Sequence, residues 1–492
     1  MRIHWLRLIP AVFLLLPASA LAATDAQALH VLNRLAFGPA PGDVQRVAAM
    51  GVDQYIRQQL HPDSIPLPAG LQQQLASLNT LALTPTQLFE EYGPPQLPRG
   101  RKLAPQERKQ LNQRANIIVQ QAMQARVLRA VESPRQLQEV MVNFWFNHFN
   151  VFRGKGLDRL WIGSYERDAI RRYALGHFRD LLFATAKSPA MLFYLDNWLD
   201  AQPGTRHAKG RFQGINENYG REVMELHTLG VNGGYTQTDV TTLAHILTGW
   251  GLCPPRGRFA DPGAFCFDPL RHDFSDQVFL GKRIRGGGEQ EVEQALDMLA
   301  ASPATAHHLS YELAQYFVDD NPPPALVDRL AQTWMQTHSD IAAVLDTLFN
   351  SPEFQSAQYT GNKFKTPYEY VISMVRATGE PVTNVKPLLG MMNQLGMPLY
   401  GYLTPDGYKN TGSVWLNPDA MMMRLSFATA LGHGNVRLDP DTMDQVPAAQ
   451  RARQLFDTLS GLFTPQQITT IDSQPEALRA GLILGSPQFQ YR

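Results

Sequence analysis

Thr366-Pro367-Tyr368-Glu369-Tyr370-Val371-Ile372-Ser373-Met374-Val375 decides the fold class, because its grammar recurs along the chain. A hydroxyl residue at an N-cap accepts an orphaned backbone N–H, and proline at the next position has no donor to lose. Apolar residues then follow at helical spacing. Thr84-Pro85, Ser133-Pro134, Ser188-Pro189, Ser302-Pro303, Ser351-Pro352 and Thr464-Pro465 repeat the signal. Alternating strand patterns are scarce, so the sequence predicts an all-α fold.

Between these helices lie proline clusters at 61–68 and 93–105 and a polar, basic loop at 200–214. A long excursion covers 251–288, and a stretch rich in Gly, Tyr and Asn covers 398–418. None has the composition of a flexible interdomain linker. Residues 23–492 are therefore expected to form one large helical domain with irregular loops. Gly286-Gly287-Gly288 precedes a helix, but Glu289, Glu291 and Glu293 would repel a phosphate and instead complement the helix dipole. Met391, Met392, Met397 and Met421 to Met423 are expected to fill the core.

Residues 1–22 carry a short basic start, an apolar run from Leu8 to Leu16 and the small-residue end Ala20-Leu21-Ala22. That is the layout of a secretory signal peptide, too short to span a bilayer. The expected product is an exported chain, periplasmic or secreted, with no later membrane span. Cys253 and Cys266, closing a loop of prolines and glycines, are expected to pair as a disulfide in an oxidising compartment. With 44 basic and 44 acidic side chains the formal charge is zero, which argues against a nucleic-acid partner.

The densest chemistry lies in residues 216–250, NENYGREVMELHTLGVNGGYTQTDVTTLAHILTGW. Asn218, Glu222 and Glu225 share one helical face, and Arg221 can pair with Glu225 one turn on. His227 ends the helix, where the dipole favours a cation. Gly230 suits a C′ position, and Thr236-x-x-Asp239 is a capping box for the next helix. Capping leaves Glu222, Glu225 and His227 unexplained. With Arg221 they are the catalytic candidates.

Two outside residues can join them. His148 falls on the apolar stripe of Leu137, Met141, Phe144, Trp145 and Phe152, either as a satisfied core histidine or as a ligand. Beside it Asn143, Asn147 and Asn150 form a row of poor helix formers, which suggests an internal polar partner. Asp196, among Leu192, Phe193 and Leu199, points inward on a helical reading of this segment. It must then pair, cap or bind a cation. His148, Asp196, Glu222 and His227 are thus candidate ligands for a divalent metal between facing helices; a buried salt-bridge network is the alternative. No zinc motif, EF-hand loop or serine-hydrolase elbow occurs. Arg206, His207, Lys209 and Arg211 read by default as a solvated loop, with an anionic substrate as the alternative, and His272-Asp273 is either a turn or the edge of a site.

Several strings resemble the large bacterial family called domain of unknown function 1800. They are Leu32-Asn33-Arg34-Leu35-Ala36-Phe37-Gly38-Pro39, Phe144-Trp145-Phe146-Asn147-His148-Phe149-Asn150-Val151, Met191-Leu192-Phe193-Tyr194-Leu195-Asp196-Asn197, residues 216–250, His272-Asp273-Phe274 and Lys365-Thr366-Pro367-Tyr368-Glu369, in the family's order. The resemblance implies an exported, mainly helical bacterial protein, often encoded beside a second exported family related to sulfatases and alkaline phosphatases. It implies no activity. His307-His308 and Ala314-Gln315 depart from the family pattern, so no functional weight falls on their helix. Two classes stand open: a metal-dependent hydrolase whose carboxylate activates metal-bound water, or a non-catalytic partner or assembly protein of an exported sulfatase-like protein, with a structural polar core.

Overall fold

Hydroxyl–proline pairs start helices where the sequence places them. Thr84 accepts from the N–H of Gln87, Ser302 from Ala304, Ser351 from Phe354, Thr366 from Glu369 and Thr464 from Gln467. Ser188 occupies an N-cap without a side-chain bond, and Ser133 instead accepts from Arg135 N, so the next helix begins at Gln136. The computed structural model describes residues 18–95, 97, 101–208, 214–255, 261–439 and 447–492. The expected signal segment therefore lies outside the described residues as far as residue 17, as do 209–213 of the basic loop.

The helices that position the site are α1 (Ala18–Leu35), α2 (Pro105–Glu132), α3 (Gln136–His148), α4 (Asp158–Ser164), α5 (Pro189–Tyr194), α6 (Glu217–Glu225), α7 (Gln237–Leu247), α8 (Glu289–Ala300), α9 (Pro303–Phe317), α10 (Pro367–Thr378), α11 (Pro418–Gly432) and α12 (Glu476–Gly485). One contiguous cluster of buried side chains joins them, running from Leu32 through Trp145, Trp161, Leu243 and Ile372 to Leu484. Helix α3 lies inside this cluster, with Leu137, Met141, Phe144 and Trp145 buried, so its polar residues must find partners within the protein. At the C-terminal end α11 packs on α12 where Gly432 meets Gly481, a crossing with no room for a Cβ.

Among the described residues, strand occurs in two antiparallel hairpins, the first starting at Trp250 on the edge of the 251–288 excursion and the second inside it. In the first, β1 (Trp250–Leu252) pairs with β2 (Phe265–Phe267), and Cys253 and Cys266 close it as a disulfide. In the second, β3 (Gln277–Phe279) pairs with β4 (Lys282–Ile284) and packs on α7. No described helix is long and apolar enough to cross a membrane. Helix α8 starts at Glu289, with Glu291 accepting from Gly287 N and Gly288 N, so the glycine run serves a cap. Core filling by methionine holds for Met391, Met392 and Met397. It fails on α11, where Met422 is 65% exposed and Met423 39%.

Candidate acid–base site

Much of the polarity in residues 216–250 is structural. Asn216 caps α6 by accepting from Asn218 N and donates to the Asp196 carbonyl; Asn218 donates to the Leu195 carbonyl. These bonds pin the start of α6 to the end of α5. Arg221 reaches Glu217 Oε2 at 3.1 Å and Gln237 Oε1 at 2.9 Å rather than the expected Glu225. Glu217 also accepts from Gln237 and Thr241, so the guanidinium joins a network that ties α6 to α7. Gly230 turns the chain at φ 80°, and Thr236 and Asp239 form the predicted capping box.

Glu222 is the residue this network leaves open. Half-buried, its carboxyl has no hydrogen-bond partner among the described residues. Burial first, then the charges of Glu225 and Asp406, push it up to about 6 against the pull of Arg221. Glu225 receives only a 3.4 Å bond from Tyr235 Oη. His227 lies two residues beyond the end of α6, 1% exposed, with its ring 4.9 Å from Phe149 and 5.9 Å from His148. Burial, reinforced by His148, holds it well below the usual histidine range. The cation expected from the helix dipole is thus absent, because desolvation outweighs a dipole worth about 1 kcal/mol. Its Nε2 is buried without a partner.

His148, at the end of α3, faces Glu312 Oε2 at 2.8 Å through Nδ1 and the His227 carbonyl at 3.2 Å through Nε2. The ring is 4% exposed, whereas Glu312 on α9 is 31% exposed, so the histidine positions a carboxylate that reaches solvent. Burial opposes ionisation of Glu312. His148, His308 and Lys409 outweigh it and hold the carboxyl below its usual range. His308 lies 3.7 Å from Glu312 and packs over Gly230, where a Cβ would crowd its ring. The helix given no functional weight thus supplies two residues of the site.

The asparagine row finds the internal partners its composition implied. Asn143 accepts from Arg126, Asn147 exchanges two bonds with the Tyr408 backbone, and Asn150 donates to the carbonyls of Tyr402 and Thr404. Residues 401–411 are thereby held across the end of α3. They bring in Asp406 and Lys409, which pair at 3.0 Å.

Asp196 does not join this junction. Helix α5 ends at Tyr194, and Asp196 takes a left-handed conformation (φ 60°) with its side chain 35% exposed. It pairs with Lys155, which also donates to the Tyr194 carbonyl. The buried carboxyl of the neighbourhood is Asp158, whose protonated form burial favours strongly. Of the expected metal set, His148 and His227 come together while Asp196 stands with Lys155. Among the described residues no three His, Cys, Asp or Glu side chains are grouped to hold a metal ion. At His272-Asp273, Asp273 accepts from Ser275 N and meets His245 at 2.6 Å, while His272 is buried against Glu291.

Local sequence pattern does not single out Glu312, His308, Asp406 or Lys409. The spacing His308-x-x-x-Glu312 is a signal for an i, i+4 pair, but nothing local ties it to His148, 164 residues earlier in the chain. Together these features define a helical protein with two carboxyls, Glu222 on α6 and Glu312 on α9, in opposed environments on either side of the Asp406–Lys409 pair. The chain belongs to the family described as Protein of unknown function (DUF1800), whose model matches residues 30–491. No curated protein and no solved structure matches it.

Proposed function

We propose that the junction of α3, α6 and α9 is the active site of an exported hydrolase that works by carboxyl acid–base chemistry. One observation carries the reading: Glu312 is held by His148 at 2.8 Å while the half-buried Glu222 has no hydrogen-bond partner among the described residues, and these surroundings favour opposite protonation states, Glu222 pushed up to about 6 and Glu312 held below its usual range. Environments that separate two titratable groups assign acid and base roles. Glu312, held by His148, takes a proton from water as the water oxygen attacks the electrophilic centre. Glu222 gives its proton to the departing oxygen or nitrogen, and both groups then re-equilibrate with solvent. His148 is a positioning residue here, not a metal ligand. Side-chain proton transfer is preferred to a metal-held water because, among the described residues, the side chains do not group as a ligand set.

The test is turnover of chromogenic glycosides, esters, amides and phosphoesters by the wild type, Glu222→Gln and Glu312→Gln. Each substitution is expected to lower kcat by about 10²–10⁴. Activity should fall as pH rises through about 6, where Glu222 loses its proton. Turnover indifferent to both substitutions, or rising through pH 6, contradicts the assignment.

A second reading, a non-catalytic partner of a sulfatase-like exported protein, is supported by an apolar face near the C-terminal end. Leu425, Leu478 and Leu482 are exposed there around a groove of about 510 Å³ that Phe463 and Ile471 also line. Under this reading L425E/L482E abolishes association with the sulfatase-like protein, while Glu222→Gln leaves it intact.

A further inference from the structure

Residues 401–411 contain no helix or strand, yet they are fixed at both ends and in the middle. At one end Tyr400 is buried, its hydroxyl donating to Glu166 at 2.6 Å and its ring stacked beneath Arg126. At the other, Gly412 N donates to Asp320, Lys363 to the Asn410 carbonyl and Trp415 to the Lys409 carbonyl. The middle is held by side chains alone. Asn147 donates to the Tyr408 carbonyl at 2.8 Å and accepts from Tyr408 N at 2.7 Å; Asn150 donates to Tyr402 O and Thr404 O. Tyr194 Oη donates to the Leu403 carbonyl at 2.8 Å. Gly407, at φ 63°, approaches so closely that a Cβ would overlap the Asn147 carbonyl. The bonds that Asn147 and Asn150 make to the strap go to its backbone, so they hold its path rather than any one of its side chains.

We propose that residues 401–411 form a strap over the site, seated by Asn147 and Asn150 as positioning residues, and that its seating brings Asp406 to Glu222 and Lys409 to Glu312. This rests on the two-carboxyl reading of the junction. Asp406 and Lys409 carry opposite charges and meet each other at 3.0 Å on the segment that Asn147, Asn150 and Tyr194 hold, and their fields act on different glutamates, Asp406 raising Glu222 and Lys409 lowering Glu312. The other groups acting on Glu222 are Glu225 and Arg221 of its own helix, with the phenols of Tyr194 and Tyr235 nearby. Those acting on Glu312 are His148 of α3 and His308 of α9. Only Asp406 and Lys409 among these charges can be withdrawn by moving the strap.

The test uses the full chain, with amide hydrogen exchange over 401–411 and carboxyl ¹³C titration of Glu222 and Glu312. In Asn147→Ala, and separately in Asn150→Ala, exchange of the strap should accelerate about tenfold or more while α6 and α9 keep theirs. The Glu222 midpoint should fall and the Glu312 midpoint rise. Asp406→Asn and Lys409→Gln should reproduce these two shifts one at a time with the strap still protected. Unchanged strap exchange in both asparagine variants, or accelerated exchange with both midpoints fixed, overturns the proposal. If wild-type Glu222 titrates as an ordinary carboxyl, the two-carboxyl reading fails, and the strap is judged on exchange and Glu312 alone.

Discussion

Glu222 and Glu312 are chemically the same group, and their surroundings separate them. Glu222 has burial and like charges and, among the described residues, no hydrogen bond; Glu312 has a histidine at 2.8 Å. Raising a carboxyl from 4.5 to about 6 amounts to about 2 kcal/mol, and solvent screening of this half-exposed group reduces it to about 1 kcal/mol. The folded protein binds the Glu222 proton more tightly than the unfolded chain. Its contribution to stability is therefore present below about pH 4.5 and lost as pH rises through 6. Glu222→Gln should raise the melting temperature by about 1–2 °C at pH 8 and leave it unchanged at pH 4. A lower melting temperature at pH 8 would mean that the carboxylate stabilises the fold. At Gly407 a Cβ meets the Asn147 carbonyl in a left-handed conformation. Gly407→Ala should cost about 1–3 kcal/mol in chemical denaturation, with exchange rising first in the strap.

At the scale of elements, the hairpin of β1 and β2 is short and closed by Cys253–Cys266, 13 residues apart. Cys253→Ser with Cys266→Ser should remove about 3 kcal/mol in the chain-entropy model. An unchanged denaturation midpoint on substitution or reduction would show that packing alone holds this segment. Elements are also where sequence reasoning succeeds and then stops. Helix starts are local: Thr366 and Glu369 are three residues apart, and their capping bonds are legible without the rest of the chain. Asn143, Asn147 and Asn150 announce a need for partners, because amides inside a buried helix must be satisfied. They cannot say that two of them hold residues some 250 positions later. Asp196 departs from its expected inward position for a related reason. Apolar spacing continues past Tyr194, but the chain turns left-handed at Asp196 and redirects its side chain to Lys155.

For the whole molecule, the helical class and the disulfide follow from patterns repeated or closed over short spans. The site follows from four segments brought together by one continuous core, which no local pattern encodes. The same core sets the response to acid. Burial lowers His30 to about 4 and holds His227 and His308 below the usual range. The unfolded chain therefore binds protons that the folded one refuses, and stability is lost as pH falls from about 6.5 towards 4. His30 alone accounts for about 3 kcal/mol by linkage, more than Glu222 returns in the opposite direction. Urea midpoints should drop between pH 7 and 4.5, and His30→Gln should flatten that drop. An equal slope in the variant would remove His30 from the account. The most direct measurement of the central claim is a ¹³C titration of the Glu222 and Glu312 carboxyls in the intact protein. Glu222 should titrate near 6 and Glu312 below the usual glutamate range. Coincident midpoints near 4.5 would leave the junction without an acid and a base, and would contradict the assignment of this site.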